Sequence, residues 1–137
     1  MGEIVRLPLN ILVIDDSKDM AIGLKKYLIK KGFKVTGVFS VFDAVDVILK
    51  EKIDVFIVDV HLKNFSGISF LKSVKNRGDL TPVIMMSADV SPKEFHECLI
   101  LGAYDFLFKP FRWEMLFEIL QTIDKRNQRF FETGVIQ

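Results

Sequence analysis

Two hydrophobic periods alternate along this chain. Ile11-Leu12-Val13-Ile14 and Val55-Phe56-Ile57-Val58 are unbroken apolar runs that end in carboxylates, Asp15-Asp16 in the first case and Asp59 in the second. Short runs rich in β-branched residues and bounded by polar residues predict buried strands. Between them, Met20, Leu24 and Leu28 recur at helical spacing, and Gly32 follows the last turn, so a helix is expected over Ser17–Lys31 with Asp16 or Ser17 as its cap. The same alternation continues to the C-terminus. Lys34–Phe39 reads as an edge strand, and Val41–Lys50 as a helix with Ala44, Val45, Ile48 and Leu49 inward. A loop follows over His61–Ser66, and Gly67 opens a helix carrying Ile68, Leu71 and Val74. Pro82 precedes a fourth strand, Val83–Met86, and Ser91-Pro92 starts a helix with Phe95, Cys98 and Leu99 on its apolar face. Phe106–Phe108 is a fifth strand, and a last helix runs from about Arg112 to about Asn127 with Leu116, Ile119, Leu120 and Ile123 facing inward.

Strands that alternate with helices imply a parallel sheet covered on both faces. Its interior strands should be continuously apolar, as these are. In such a sheet the residues ending the strands, Asp15, Asp16, Asp59, Ser87 and Lys109, share one edge, where open α/β folds bind ligands.

Composition narrows the class. The chain has 137 residues, enough for one domain with a sizeable core. Half of it is hydrophobic and 27% charged, which argues against disorder. The 19 basic and 18 acidic residues nearly cancel, so nothing directs the chain to nucleic acid. Cys98 is the only cysteine; no disulfide can form within the chain, and a reducing, cytoplasmic setting is expected. The apolar runs are too short to span a bilayer, Met1–Arg6 does not read as a secretory signal, and no membrane association is expected.

The strand ends carry the chemistry. Asp15 and Asp16 taken alone could simply cap the first helix. With Asp59 ending another strand, the three carboxylates instead suggest a shared hard cation, and Mg²⁺ suits them better than Zn²⁺, which favours His or Cys. Asp59 is either a further ligand or also a nucleophile, since carboxylates accept phosphoryl groups. Such transfer relies on positioning and charge neutralisation, and Lys109 offers a fixed cation. Pro110 after it raises the prospect of a cis bond. Ser87 adds a hydroxyl that would by itself read as a loop or cap serine, and Ala88 beside it leaves room for an anion.

In this order and at these strand ends, Asp15-Asp16, Asp59, Gly67, Ser87-Ala88 and Lys109-Pro110-Phe111 resemble the receiver domain of two-component response regulators, of the chemotaxis-regulator kind. The resemblance runs from about Leu9 to Asn127. It implies a flavodoxin-like, doubly wound five-stranded parallel sheet of order 2-1-3-4-5 with five helices. It implies that Asp59 is the phosphoacceptor, and that Asp15, Asp16, Asp59 and the backbone carbonyl of His61 hold Mg²⁺. Lys109 then pairs with the phosphoryl oxygens, Ser87 turns toward the phosphate, and Phe106 is the switch aromatic. A sensor histidine kinase or phosphotransfer protein would be the donor. The chain would catalyse its own phosphoryl transfer and dephosphorylation without being an enzyme in any wider sense. The face of helix four, strand five and helix five would carry the output, including pairing with a second copy.

Some positions depart from the family. Lys63 stands where many receivers have Pro, which loosens a turn. His61 and Asp89 fall where the family tunes dephosphorylation. Phe106 replaces the more usual Tyr, so it can pack inward but forms no new hydrogen bond. His61 is expected to face solvent, His96 to lie on the surface and Cys98 to fill core. The receiver domain is expected over residues 1–127, with 128–137 a tail or the start of a linker; Phe130 and Phe131 there suggest an extended last helix that pairs with a copy or leads into a further domain. Two other readings stay open on the residues alone: a small Mg²⁺-dependent phosphohydrolase with an aspartate nucleophile, and a phosphate-independent binding module. Adjacent Asp15-Asp16 is wrong for the usual Asp-x-Asp of the former, and intact Asp59 and Lys109 weigh against the latter.

Overall fold

A computed structural model of the chain describes residues 7–134, with side chains described through Asn127. The apolar runs form a five-stranded parallel sheet: β1 (Asn10–Ile14), β2 (Lys34–Val38), β3 (Val55–Asp59), β4 (Val83–Ser87) and β5 (Asp105–Phe108), in the spatial order β2-β1-β3-β4-β5. The flavodoxin-like order expected from the resemblance is the one observed. β1, β3 and β4 are buried at every position, whereas β2 and β5, at the edges, are only partly so.

Alternation along each central strand divides the core in two. Leu12, Ile14, Phe56, Val58, Val83 and Met85 face one layer. It is built from α2 (Val41–Lys50), α3 (Gly67–Asn76) and α4 (Pro92–Ile100). Ile11, Val13, Val55, Ile57, Ile84 and Met86 face the other. That layer is built from α1 (Lys18–Lys30) and α5 (Trp113–Gly134). Serine caps start four of these helices. Ser17, Ser40, Ser66 and Ser91 each accept a backbone N–H of the first turn, and Ser91 with Glu94 forms a reciprocal capping box. Gly32 and Gly102 take positive φ after α1 and α4, which stops both helices where expected.

Four expectations need correction. In α2, Val45 and Leu49 point to solvent with Phe42, while Val41, Ala44, Val47 and Ile48 pack inward. In α4, Leu99 is exposed, and Phe95 and Cys98 make the inward contacts. His61–Ser66 is not a plain loop: His61–Leu62 and Phe65–Ser66 pair as a two-residue antiparallel ladder. α5 runs past Asn127 to Gly134. The side chains of Phe130 and Phe131 lie outside the described residues.

Candidate functional site

β1 and β3 are neighbours in register, Ile14 beside Val58, so the carboxylates that follow emerge together at the same edge of the sheet. Asp15, Asp16 and Asp59 bring oxygen atoms within 4.8 Å of one another. Asp15 is fully buried and Asp59 nearly so. Lys109, just beyond β5, reaches across: its Nζ lies 2.7 Å from Asp15 Oδ2 and 2.7 Å from Asp59 Oδ2. The remaining oxygens take backbone donors. Ser17 N–H donates to Asp15 Oδ1 at 2.9 Å, and His61 N–H donates to Asp59 Oδ1 at 2.9 Å.

The electrostatics record the crowding. Burial pushes the Asp15 carboxyl above its usual range, against the opposing effect of Lys109 and the Ser17 amide. Burial by itself would lower the Lys109 ammonium, but the hydrogen bonds and charges of Asp15 and Asp59 outweigh it and raise the group. Three carboxylates against this one ammonium leave two negative charges unbalanced. An all-oxygen donor set with excess negative charge fits a hard divalent cation such as Mg²⁺ and does not fit zinc.

Backbone geometry explains two further members of the motif. Gly67 N–H bonds Val60 O at 2.8 Å, and this holds the Gly67 Cα so near Asp59 that an added Cβ would collide with the Asp59 carbonyl oxygen. Only glycine lets α3 start this close to the strand end. The Lys109–Pro110 peptide bond is cis. Beside it a cleft of about 300 Å³ is lined by Met20, Ala88, Lys109, Pro110, Phe111 and Trp113.

Ser87 and Phe106 lie outside the charged cluster. The buried Ser87 hydroxyl donates to Asp89 O at 3.1 Å and accepts Asp89 N–H at 3.2 Å, so it is turned into its own loop. Phe106 is buried and stacks on Phe95 and Phe108, with ring centroids 5.1 and 4.9 Å away. Phe108 leaves half its surface in solvent and lies against Phe95 of α4, a helix on which Leu99 and Ile100 are also exposed. His96 is exposed, and burial lifts the Cys98 thiol to about 11, which makes it an inert core residue.

The geometry is that of a receiver, and comparison with known proteins decides the family. The model of the response regulator receiver domain matches residues 11–121. This chain belongs to the response regulator receiver family. It is 33% identical over 121 residues to the transcriptional regulatory protein DltR of Streptococcus agalactiae, covering 88% of this chain and 53% of that one. The chain therefore spans about half the length of that relative. Among solved structures, the receiver domain of the Francisella response regulator 1452 superposes with a TM-score of 0.80 at 32% identity, covering 87% of this chain and 98% of that one. The chemotaxis protein CheY4 of Vibrio cholerae gives 0.78 at 28%, covering 85% and 99%.

One residue of this receiver escaped the sequence reading. Glu94 Oε2 lies 2.8 Å from His61 Nε2, while Glu94 Oε1 accepts the Ser91 N–H at 3.0 Å. The Ser91 amide and His61 together hold the Glu94 carboxyl below its usual range. Ser91-Pro92-Lys93-Glu94 does carry a legible capping signal. Its contact with His61, 33 residues away, has none.

Proposed function

We propose that this receiver is a phosphorylation-controlled switch with Asp59 as the acceptor. The observation that carries the reading is the double contact of Lys109 Nζ, 2.7 Å from both Asp15 and Asp59, within a carboxylate cluster that still has charge to be neutralised. The donor is a phosphohistidine on a sensor kinase or phosphotransfer protein. A carboxylate oxygen of Asp59 forms a bond to phosphorus as the bond from phosphorus to the donor imidazole nitrogen breaks, and that nitrogen keeps the electron pair. Lys109 stays beside the reacting oxygens and offsets the added negative charge. The cleft at Met20, Ala88 and Phe111 opens on the same side and gives the donor an approach. Asp15, Asp16, Asp59 and the His61 carbonyl would hold Mg²⁺, which when bound supplies positive charge to the phosphoryl oxygens.

The response then runs through Ser87. Its hydroxyl leaves Asp89 for the phosphoryl group, the space beside it opens, and Phe106 follows. Phe106 is packed against Phe95 and Phe108, so its movement reshapes the face of α4, β5 and α5. The half-exposed apolar residues of that face, Leu99, Ile100, Phe108 and Met115, suit pairing with a second copy in the switched state. The receiver occupies residues 1–127, and 128–137 continue as a tail or linker, in keeping with α5 extending to Gly134. The protein acts in the cytoplasm.

Incubation with a cognate kinase and labelled ATP tests the reading: Asp59 should be labelled, and Asp59→Asn should abolish the label. Retention of full labelling by Asp59→Asn overturns it. Beryllofluoride with Mg²⁺ should shift the amide resonances around Asp59, Ser87 and Phe106, and a size measurement with and without it reads the pairing.

A further inference from the structure

Glu94 joins two parts of the molecule that the switch must move relative to each other. On one side is His61, whose backbone N–H holds Asp59 Oδ1 and whose imidazole contacts Glu94 at 2.8 Å. On the other is the first turn of α4, which Glu94 caps through Ser91. The next residue, Phe95, stacks on both Phe106 and Phe108. A continuous chain of contacts thus runs from the acceptor carboxylate through His61 and Glu94 to the aromatic face, separate from the route through Ser87. It is present in the arrangement in which Ser87 is turned away toward Asp89.

We propose that the His61–Glu94 contact is a latch that holds α4 against the acceptor loop in the resting state. This rests on the switch reading above, in which α4 shifts when Asp59 is occupied. A contact made in one of two states biases the equilibrium toward that state by its own free energy. Both side chains are partly exposed, so the bias is that of a surface ion pair, about a two- to fivefold change in population. Glu94 is thereby a positioning residue, and its effect on Asp59 passes through His61.

The test is a beryllofluoride titration of the full chain at saturating Mg²⁺, followed by the ring resonances of Phe106 and Phe108. His61→Ala removes the latch and leaves the α4 cap in place; it should tighten apparent beryllofluoride binding about two- to fivefold. Glu94→Ala should tighten it similarly, and the double variant should go no further than either single one. Glu94→Gln keeps one oxygen for the Ser91 amide but turns an NH2 toward His61 and removes the charge, so it should keep the α4 cap while tightening binding as His61→Ala does. If wild type responds and His61→Ala titrates identically, or if the two alanine effects add, the latch is refuted while the switch stands. If wild type does not respond to beryllofluoride at all, the switch reading fails first and the latch with it.

Discussion

β1 and β3 lie side by side along their length, yet their two ends use polar residues in opposite ways. At the amino-terminal end Asn10 and Asp54 face each other. Asn10 N–H donates to Asp54 Oδ2 at 2.8 Å, Asp54 N–H donates to Asn10 O at 2.8 Å, and the Asn10 amide donates to Glu51 and to the Lys52 carbonyl. The Asn10 donors all find acceptors there, and the one group left over, the buried Asn10 Oδ1, carries no charge. At the carboxyl-terminal end Asp15 and Asp59 converge on Lys109 with the Asp16 carboxylate beside them, and charge is left over. Buried polar groups that satisfy one another close a fold; buried charges that do not are kept at a cost and mark a place built for something else. Density of polar residues does not separate a site from scaffold, whereas imbalance of charge does.

The sharpest way to break that comparison is to neutralise one carboxylate at each end. Asp59→Asn should reduce phosphoryl labelling to background. Asp54→Asn, which keeps an acceptor for the Asn10 amide, should label like wild type. Loss of labelling in both would mean that the two ends are not functionally distinct.

Lys109→Met should have the next largest effect. It leaves Asp15 and Asp59 buried without their cation, and the cost for such a broken pair is about 3 kcal/mol or more. Denaturant melts in EDTA would read it, and added Mg²⁺ should restore part of the loss. Lys34, at the other end, pairs with Glu51 at 3.9 Å while mostly exposed, so Lys34→Met should stay within about 0.5 kcal/mol of wild type. Equal losses for the two lysines would contradict the distinction.

Neutral substitutions should then differ in sign. Asn10→Ala removes two satisfied hydrogen bonds and should destabilise the protein by about 1–2 kcal/mol, with labelling unaffected. Asp15→Asn removes a desolvated charge and should stabilise the metal-free protein by about 1 kcal/mol, while weakening Mg²⁺ binding. Melts of both variants with and without Mg²⁺ make the check. A destabilised, Mg²⁺-competent Asp15→Asn would place Asp15 with the scaffold.

How far this contrast was readable in advance varies by element. The central strands were legible because burial on both faces forces unbroken apolar runs, and the site was legible because strand ends in a parallel sheet must share an edge. α2 was misread because it offers two apolar stripes: Val41, Ala44 and Ile48 at one phase, Phe42, Val45 and Leu49 at another. Periodicity finds a helix with confidence in either phase but cannot choose which stripe meets the sheet. Leu99 fails for the same reason on a helix whose neighbour Cys98 takes the inward position. The ladder at His61–Ser66 is too short to show a period, and the Glu94 contact depends on how a loop and a helix meet in space.

The smallest expected effect is a pH dependence confined to the charged end. The Asp15 carboxyl is raised in the folded protein, first by burial. A group raised on folding contributes stability that is fully present below its unfolded value, near 3.9, and is lost as pH climbs through the folded value. Wild type should therefore give up stability over that acid interval relative to Asp15→Asn, which has no proton to lose there. In EDTA, urea melts of the pair should show the advantage of Asp15→Asn shrinking as pH falls from 7 toward the unfolded carboxylate range. The same series on Asn10→Ala supplies the contrast, because that substitution at the other end removes hydrogen bonds and no titratable group. An advantage of Asp15→Asn that widens on acidification would show that Lys109, rather than burial, governs Asp15. Asp15 and Lys109 would then form a balanced ion pair, and the excess charge of that end would rest on Asp16 and Asp59.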